Sequence, residues 1–378
     1  MAEGNVAEVQ MQPEFKVTPP VQEATEPTKN LVESFDKLFY LMAKVTRPGI
    51  SNRPLFARAK RAELYKDIKA VPKDNKDLRR KIIEEAHLRD AIVEKYLNQG
   101  EISIILPGLG EQKSRYIDVL PPEALKTEET ESKAPIVLIP GISNDIECVG
   151  GIVQEVAMLG RRIVVIGYPE SFQGKTTKEF AAAVEKDDGY GPHVNFYKNA
   201  INQLMGIDGK IELWGYSTGA PIVENILNDP RFQEKTDNAV LLCPASSVDQ
   251  SAMSINLGVV HDLGFVRQLK LLPRLSWTSG SVFKREKDQK TLRKKIFKSL
   301  LKKLGTAYDY WKSAKVREGG SIVIVSGGND HVTKSDKIKD QFLQNPQAKL
   351  VDLQNGYHAT PGVDAGSVIP YILETQKK

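Results

Sequence analysis

The sequence predicts an α/β protein with a mostly parallel central sheet flanked by helices, and three observations predict it. Short, continuous apolar runs recur between residues 135 and 353. Most are separated by segments long enough for a crossover helix, the pattern of parallel strands covered on both faces. One run, Lys210-Ile211-Glu212-Leu213-Trp214, leads through Gly215-Tyr216-Ser217-Thr218-Gly219 into a helix-like segment.

Taken in order, residues 1–29 carry Pro13, Pro19, Pro20 and Pro27 among Glu, Gln and Thr, with little apolar periodicity. Such a segment buries too little surface to order itself, and it reads as a tail. Leu31, Phe35, Leu38, Phe39, Met42 and Val45 then recur at helical spacing until Pro48-Gly49. A second helix is expected from about Lys76 to Asn98, with Asn75 as its cap and Gly100 beyond its end. Residues 30–99 therefore form an N-terminal helical extension, docked on the body of the same chain or on a partner.

Two β-like pieces, Glu101–Leu106 and Arg115–Leu120, are joined through Pro107-Gly108-Leu109-Gly110 and read as an antiparallel hairpin. The parallel strands are expected at Pro135–Pro140, Arg162–Tyr168, Lys210–Trp214, Ala239–Cys243, Ser321–Ser326 and Leu350–Leu353. Between the fourth and fifth of these a long insertion, residues 246–320, replaces the usual short crossover, so the core comprises 100–245 and 321–378. Loops at the carboxyl ends of parallel strands build active sites, and an insertion there is expected to act as a cap or lid.

Composition narrows the class. Hydrophobic content of 40% and charged content of 27% are ordinary for a globular domain, and a net charge of +5 over 378 residues is mild. No aromatic and basic nucleic-acid module is evident, so a nucleic-acid partner is not expected. Cys148 and Cys243 lie in or beside apolar segments without metal-ligand spacing, which favours small core residues over a disulfide or a zinc site. The start lacks a basic, then apolar signal, and no apolar stretch approaches the ~18 residues of a membrane span. A cytoplasmic protein is the expectation.

The serine gives the chain a chemistry. A serine on a tight strand-to-helix turn takes strained backbone angles, and flanking glycines let neighbouring chain approach without a Cβ clash. Its hydroxyl is a weak nucleophile near neutral pH and needs a histidine to take the proton and an acid to orient that histidine. Ser326-Gly327-Gly328-Asn329-Asp330-His331 puts a carboxylate in a glycine-rich loop after one strand, and Asn355-Gly356-Tyr357-His358 puts an imidazole after the last. Of the five histidines, His87, His193 and His261 read as surface or core residues, and His331 is the rival to His358. Asp336, the alternative acid, looks like part of the next helix.

With these motifs the sequence resembles the α/β-hydrolase superfamily over roughly residues 100–376. The resemblance implies that Ser217 is the nucleophile, Asp330 the acid and His358 the general base, in the order of successive strand tips. It also implies two N–H donors for the oxyanion, which fall on Thr218, just after the nucleophile, and on Ile142 of Pro140-Gly141-Ile142-Ser143, where Pro140 departs from the family's histidine. No metal or organic cofactor is expected. The activity implied is cleavage of a carboxylic ester as a small-molecule substrate, with thioesterase, acyltransferase or peptidase chemistry open on the same triad. A non-catalytic binding or membrane-associated scaffold is the reading from another class. Gly174-Lys175-Thr176 superficially resembles a phosphate-binding loop, but Pro169 stands where its first glycine is needed.

The insertion carries the strongest charge feature. Residues 284–303 contain ten Lys/Arg against Glu286 and Asp288. Leu292, Ile296, Phe297, Leu300, Leu301 and Leu304 recur there at helical spacing, giving a basic amphipathic helix. Its apolar face is expected on the protein, with peripheral contact to an anionic membrane as the functional alternative. Met253, Leu257, Phe265, Leu269, Leu271, Leu272, Leu275 and Trp277 fit either an acyl pocket or the insertion's own core.

Overall fold

A computed structural model describes residues 72, 75–81, 93–141, 146–171, 174–187, 189–245, 287–304, 309–330, 332–333, 335–342, 344–354, 356, 361 and 365–377. The expected tail, the first N-terminal helix and the apolar residues 253–277 lie outside this set.

The second N-terminal helix starts as the sequence predicts. Asn75 Oδ1 accepts the Leu78 N–H at 3.1 Å, satisfying one of the donors that a helix start leaves open. The segment is helical at 76–81 and again at 93–95, but it ends earlier than expected. Leu97–Gly100 already belong to strand β1 (Leu97–Leu106), paired across the hairpin with Tyr116–Val119 of β2 (Gly110–Val119). Leu97 satisfies helical spacing from Val93, and cross-strand pairing overrides that local preference. Gly100 is not a helix-ending glycine: a Cβ there would lie 2.8 Å from the Tyr116 ring.

The hairpin turn uses Gly108 and Gly110 at φ +71° and +75°, conformations open to glycine at little cost. Beyond it come β3 (Ile136–Ile139), β4 (Ile163–Ile166), β5 (Ile211–Tyr216), β6 (Thr236–Leu242), β7 (Ile322–Gly327) and β8 (Ala348–Leu353). All eight form one sheet in the order β1-β2-β4-β3-β5-β6-β7-β8. β1, β2 and β4 pair antiparallel, and every later pairing is parallel. Each expected strand is present.

Alternation along the strands divides the core into two layers, as the period of two requires. Ile136 and Leu138, Trp214, Val240, Val323 and Val351 point to one face, which also receives α1 (Gly150–Met158) and the terminal helix, Ala365–Lys377. Val137 and Ile139, Leu213, Leu241, Ile324 and Leu350 point to the other. That face is covered by α2 (Lys178–Lys186), α3 (Gly191–Met205), α4 (Gly219–Ile226), α5 (Lys287–Leu304) and α6 (Ser335–Phe342). The terminal helix, α7, is tied to the sheet through Gln376, whose Nε2 donates to Glu212 Oε2 at 3.1 Å. Glu212 Oε1 in turn accepts from Arg161 at 2.9 Å, both side chains being buried.

The basic helix α5 belongs to this layer. Leu292, Ile296 and Leu300 are buried in the same cluster as Phe180, Ala181 and Val184 of α2. Two of its cations are buried as well, and both are paired: Arg293 donates to the carbonyls of Ser171 and Gly174, and Lys303 Nζ to that of Val184 at 2.8 Å. The stretch resembling a phosphate loop is thus a docking strip for α5. Lys175 also exchanges two backbone bonds with Lys113, each 2.8 Å. Among the described residues no helix is long and apolar enough to cross a membrane.

Candidate active site

Ser217 follows β5 with φ +53°, in the left-handed region that side-chain-bearing residues seldom adopt. A residue is held there only when its surroundings over-determine it, and they do. Its N–H donates to Leu242 O at the end of β6 (2.8 Å), while its carbonyl accepts from Ala220 N (3.1 Å) and Ala245 N (3.2 Å). Cys243, next along from Leu242, is buried with φ +46°, so the neighbouring strand end is strained too.

The two motif glycines are required for close approach. A Cβ on Gly215 would lie 2.6 Å from Gly219 O and 2.7 Å from Ala220 Cα. One on Gly219 would lie 2.2 Å from Ile139 O and 2.8 Å from Pro140 O. Helix α4 therefore starts hard against the end of β3, the strand that leads into Gly141 and Ile142. Ser217 itself is 8% exposed, so the turn holds the residue almost wholly enclosed.

Asp330 follows β7 on the loop that begins at Gly328. Its Oδ1 accepts the N–H groups of Val332 (2.8 Å) and Thr333 (2.7 Å), and its Oδ2 accepts the Thr333 hydroxyl at 2.6 Å. Three donors on one buried carboxylate fix its plane. The loop is also tied to the segment after β8: Gly328 N donates to Leu353 O (2.8 Å) and Asn329 N to Gly356 O (2.9 Å). Gly356 stands two residues before His358 in the sequence. The acid loop and the start of the histidine segment are thereby stitched side by side.

Ser217, Thr218 and Asp330 thus stand at the carboxyl ends of β5 and β7, on either side of β6. His358, its rival His331, Ile142 and Ser143 lie outside the described residues. Asp336 lies in α6, as its sequence context predicts. Among the described residues no group of three or more His, Cys, Asp or Glu is arranged to hold a metal ion.

Several site-adjacent residues escape a sequence reading. Thr333 is one. Tyr168, buried in the loop after β4, places its hydroxyl 3.2 Å from Thr218 Oγ1. Burial pushes its phenol well above the usual tyrosine range, against a smaller opposite pull from the Thr218 hydrogen bond. His193 is a fully buried core histidine whose Nε2 lies 3.0 Å from Glu170 Oε1, with Tyr168 and Phe180 packed edge-on around its ring. Cys243 is a buried cysteine, in line with its expected core position.

The sheet order, the strained serine turn after β5 and the acid after β7 define the α/β-hydrolase fold. Solved structures with this fold bear that out. A probable hydrolytic enzyme from Pseudomonas aeruginosa PAO1 superposes with a TM-score of 0.53 at 13% identity, over 73% of this chain and 93% of that one. An esterase from Exiguobacterium antarcticum gives 0.50 at 13% identity, over 71% and 96%. A membrane phospholipase A, described as a bacterial virulence factor, gives 0.54 at 13% identity and extends over 93% of this chain and 99% of its own. At such identity the likeness is one of fold. No family model matches the sequence, and no curated protein does.

Proposed function

We propose that the chain is a serine hydrolase that cleaves a carboxylic ester, with an apolar or lipid-like acyl group, through an acyl-enzyme on Ser217. The observation that carries this reading is the strained, glycine-crowded turn that holds Ser217 at φ +53° beside the end of β6. Strain of this kind is retained where it has a use.

In this reading His358 takes the hydroxyl proton as Ser217 Oγ attacks the ester carbonyl. The N–H groups of Thr218 and Ile142 receive the oxyanion. Collapse breaks the ester bond, and His358 returns the proton to the departing alcohol. Water, deprotonated by His358, then attacks the acyl-enzyme, releasing the carboxylic acid and restoring Ser217. Asp330, held by Val332 and Thr333, keeps the imidazole oriented and stabilises its charged form. The chemistry requires no metal or organic cofactor. An esterase and a phospholipase A among the proteins of similar fold support an ester as the substrate class.

A fluorophosphonate probe tests the nucleophile. Labelling of the wild-type protein that disappears in Ser217→Ala is the expected result; a folded wild-type protein that takes no label overturns the proposal.

The same reading includes a peripheral contact with an anionic membrane through α5. Leu292, Ile296 and Leu300 are occupied by the body of the protein, so this contact would rest on charge rather than on insertion. Lys295, with a 56% exposed side chain, lies 3.8 Å from Glu185, an exposed pair that would have to give way to a lipid headgroup. Binding to anionic vesicles is expected to vanish in ~0.5 M salt, where charges are screened within a few ångströms. Unchanged co-sedimentation after neutralising Lys294, Lys295, Lys298 and Lys302 would remove α5 from the contact.

A further inference from the structure

We infer that Tyr168 is a positioning residue for the nucleophile turn, holding the Thr218 side chain so that the Thr218 N–H stays aimed at the oxyanion. This rests on the hydrolase reading above and adds to it a residue from the loop after β4.

The argument begins with what Thr218 does not do. It occupies the N-cap of α4, where a threonine hydroxyl ordinarily accepts an N–H from the first turn of the helix. In this helix the Thr218 side chain makes no capping bond; its backbone is αR at φ −65°, ψ −16°. Its hydroxyl instead meets the Tyr168 hydroxyl at 3.2 Å. Because Thr218 is fully buried, the rotamer that makes this contact is enclosed by packing. The Ser217–Thr218 peptide is therefore bounded by a strained φ on one side and a tethered side chain on the other. That peptide carries the N–H assigned to the oxyanion.

Tyr168 is itself immobilised. Its carbonyl accepts from Ser114 Oγ (3.1 Å) and Ser171 N (2.9 Å). Two residues on, Glu170 is clamped to His193 of α3 at 3.0 Å. The ring lies edge-on to His193 and Tyr197, with centroids 5.5 and 5.6 Å away. A phenol so enclosed stays protonated through the working pH range, so it remains a constant donor or acceptor for Thr218. If the Tyr168 bond is removed, the Thr218 rotamer loses one of the contacts that fix it, and the orientation of the peptide loosens.

The experiment is a double-mutant cycle on the full chain, read by hydrolysis of a short p-nitrophenyl ester and by the rate of fluorophosphonate labelling. Tyr168→Phe is expected to lower kcat about 5- to 10-fold with KM unchanged, the scale of one lost hydrogen bond. Thr218→Val should cause a similar loss, Thr218→Ser should restore most of the rate, and the Tyr168→Phe, Thr218→Val double variant should be no slower than Thr218→Val. Wild-type kcat in Tyr168→Phe overturns the inference while leaving the hydrolase reading intact, as does a double variant in which the two losses multiply. If Tyr168→Phe does not fold, the Val-against-Ser comparison at position 218 carries the test. Equal kcat in those two variants overturns the inference. Failure of the wild type to label removes the hydrolase reading and this inference together.

Discussion

The Ser217 turn and the Asp330 loop hold their side chains by opposite means. Around Ser217 the restraint is steric: a positive φ, two glycines with no room for a Cβ, and backbone bonds to the end of β6. Around Asp330 it is polar: two N–H donors and a hydroxyl on one carboxylate. The first arrangement is fixed by the shape of the chain and is unforgiving of added atoms. The second is fixed by donors and is sensitive to the loss of any one of them. The proposed triad would thus be sensitive to bulk at one end and to hydrogen bonding at the other.

The sharpest test of the polar end is Asp330→Asn, which keeps the shape and removes the charge. A fall in kcat of roughly 10³- to 10⁴-fold, with little change in KM, is expected. A variant within tenfold of wild type would mean that Asp330 is not the acid. At the steric end, Gly219→Ala drives a methyl into the carbonyls of Ile139 and Pro140 and should cost on the order of 3 kcal/mol, read from the urea midpoint. An alanine tolerated without loss would show that the turn is looser than its geometry.

Thr333→Val then removes one donor from the carboxylate. About 2 kcal/mol of stability and about tenfold in kcat should go with it, and Thr333→Ser should recover both. Equal behaviour of Val and Ser would place the effect in packing instead.

Alkali gives the smallest effect and acts through the buried phenols. Tyr168 and Tyr197 both have pKa values raised by burial above the ordinary 10.0. Below pH 10 both states hold these protons and their contribution is fully present. As the pH rises past 10 the unfolded chain releases them first, so stability falls, by at most about 1.4 kcal/mol per group per pH unit. Urea midpoints between about pH 9 and about pH 11 should decline, and less steeply in Tyr168→Phe. A slope unaffected by that substitution would show that Tyr168 is not protected by the fold.

Much of the fold is legible in the amino-acid sequence. Val137–Ile139, Ile163–Ile166 and Ile322–Val325 are unbroken β-branched or apolar runs, which only strands buried on both faces need. The serine turn and the loop that carries Asp330 are legible because glycines mark places where backbone must crowd. The start of β1 is not, since Leu97 continues a helical stripe and only its partner Val119 settles the matter. Tyr168 is hidden for a related reason: its contact with Thr218 spans 50 residues, and nothing local announces it. Thr333, three residues from Asp330, leaves a trace in the D-x-x-T spacing, a pattern known for side-chain-to-backbone turns. Arg293 and Lys303 pass for part of the solvent-facing charge of the basic helix, because composition cannot tell a buried cation held by backbone carbonyls, or for Lys303 also by Asp187, from one in water.

The bond from Ala245 N to Ser217 O gives the polypeptide's route a mechanical meaning. Ala245 belongs to the segment that follows β6, and it is anchored on the carbonyl of Ser217. Tension applied there reaches Ser217 through a single hydrogen bond, alongside the covalent path through Cys243 to β6. A change of chain length or a nick beside Ala245 is therefore also a perturbation of the Ser217 backbone.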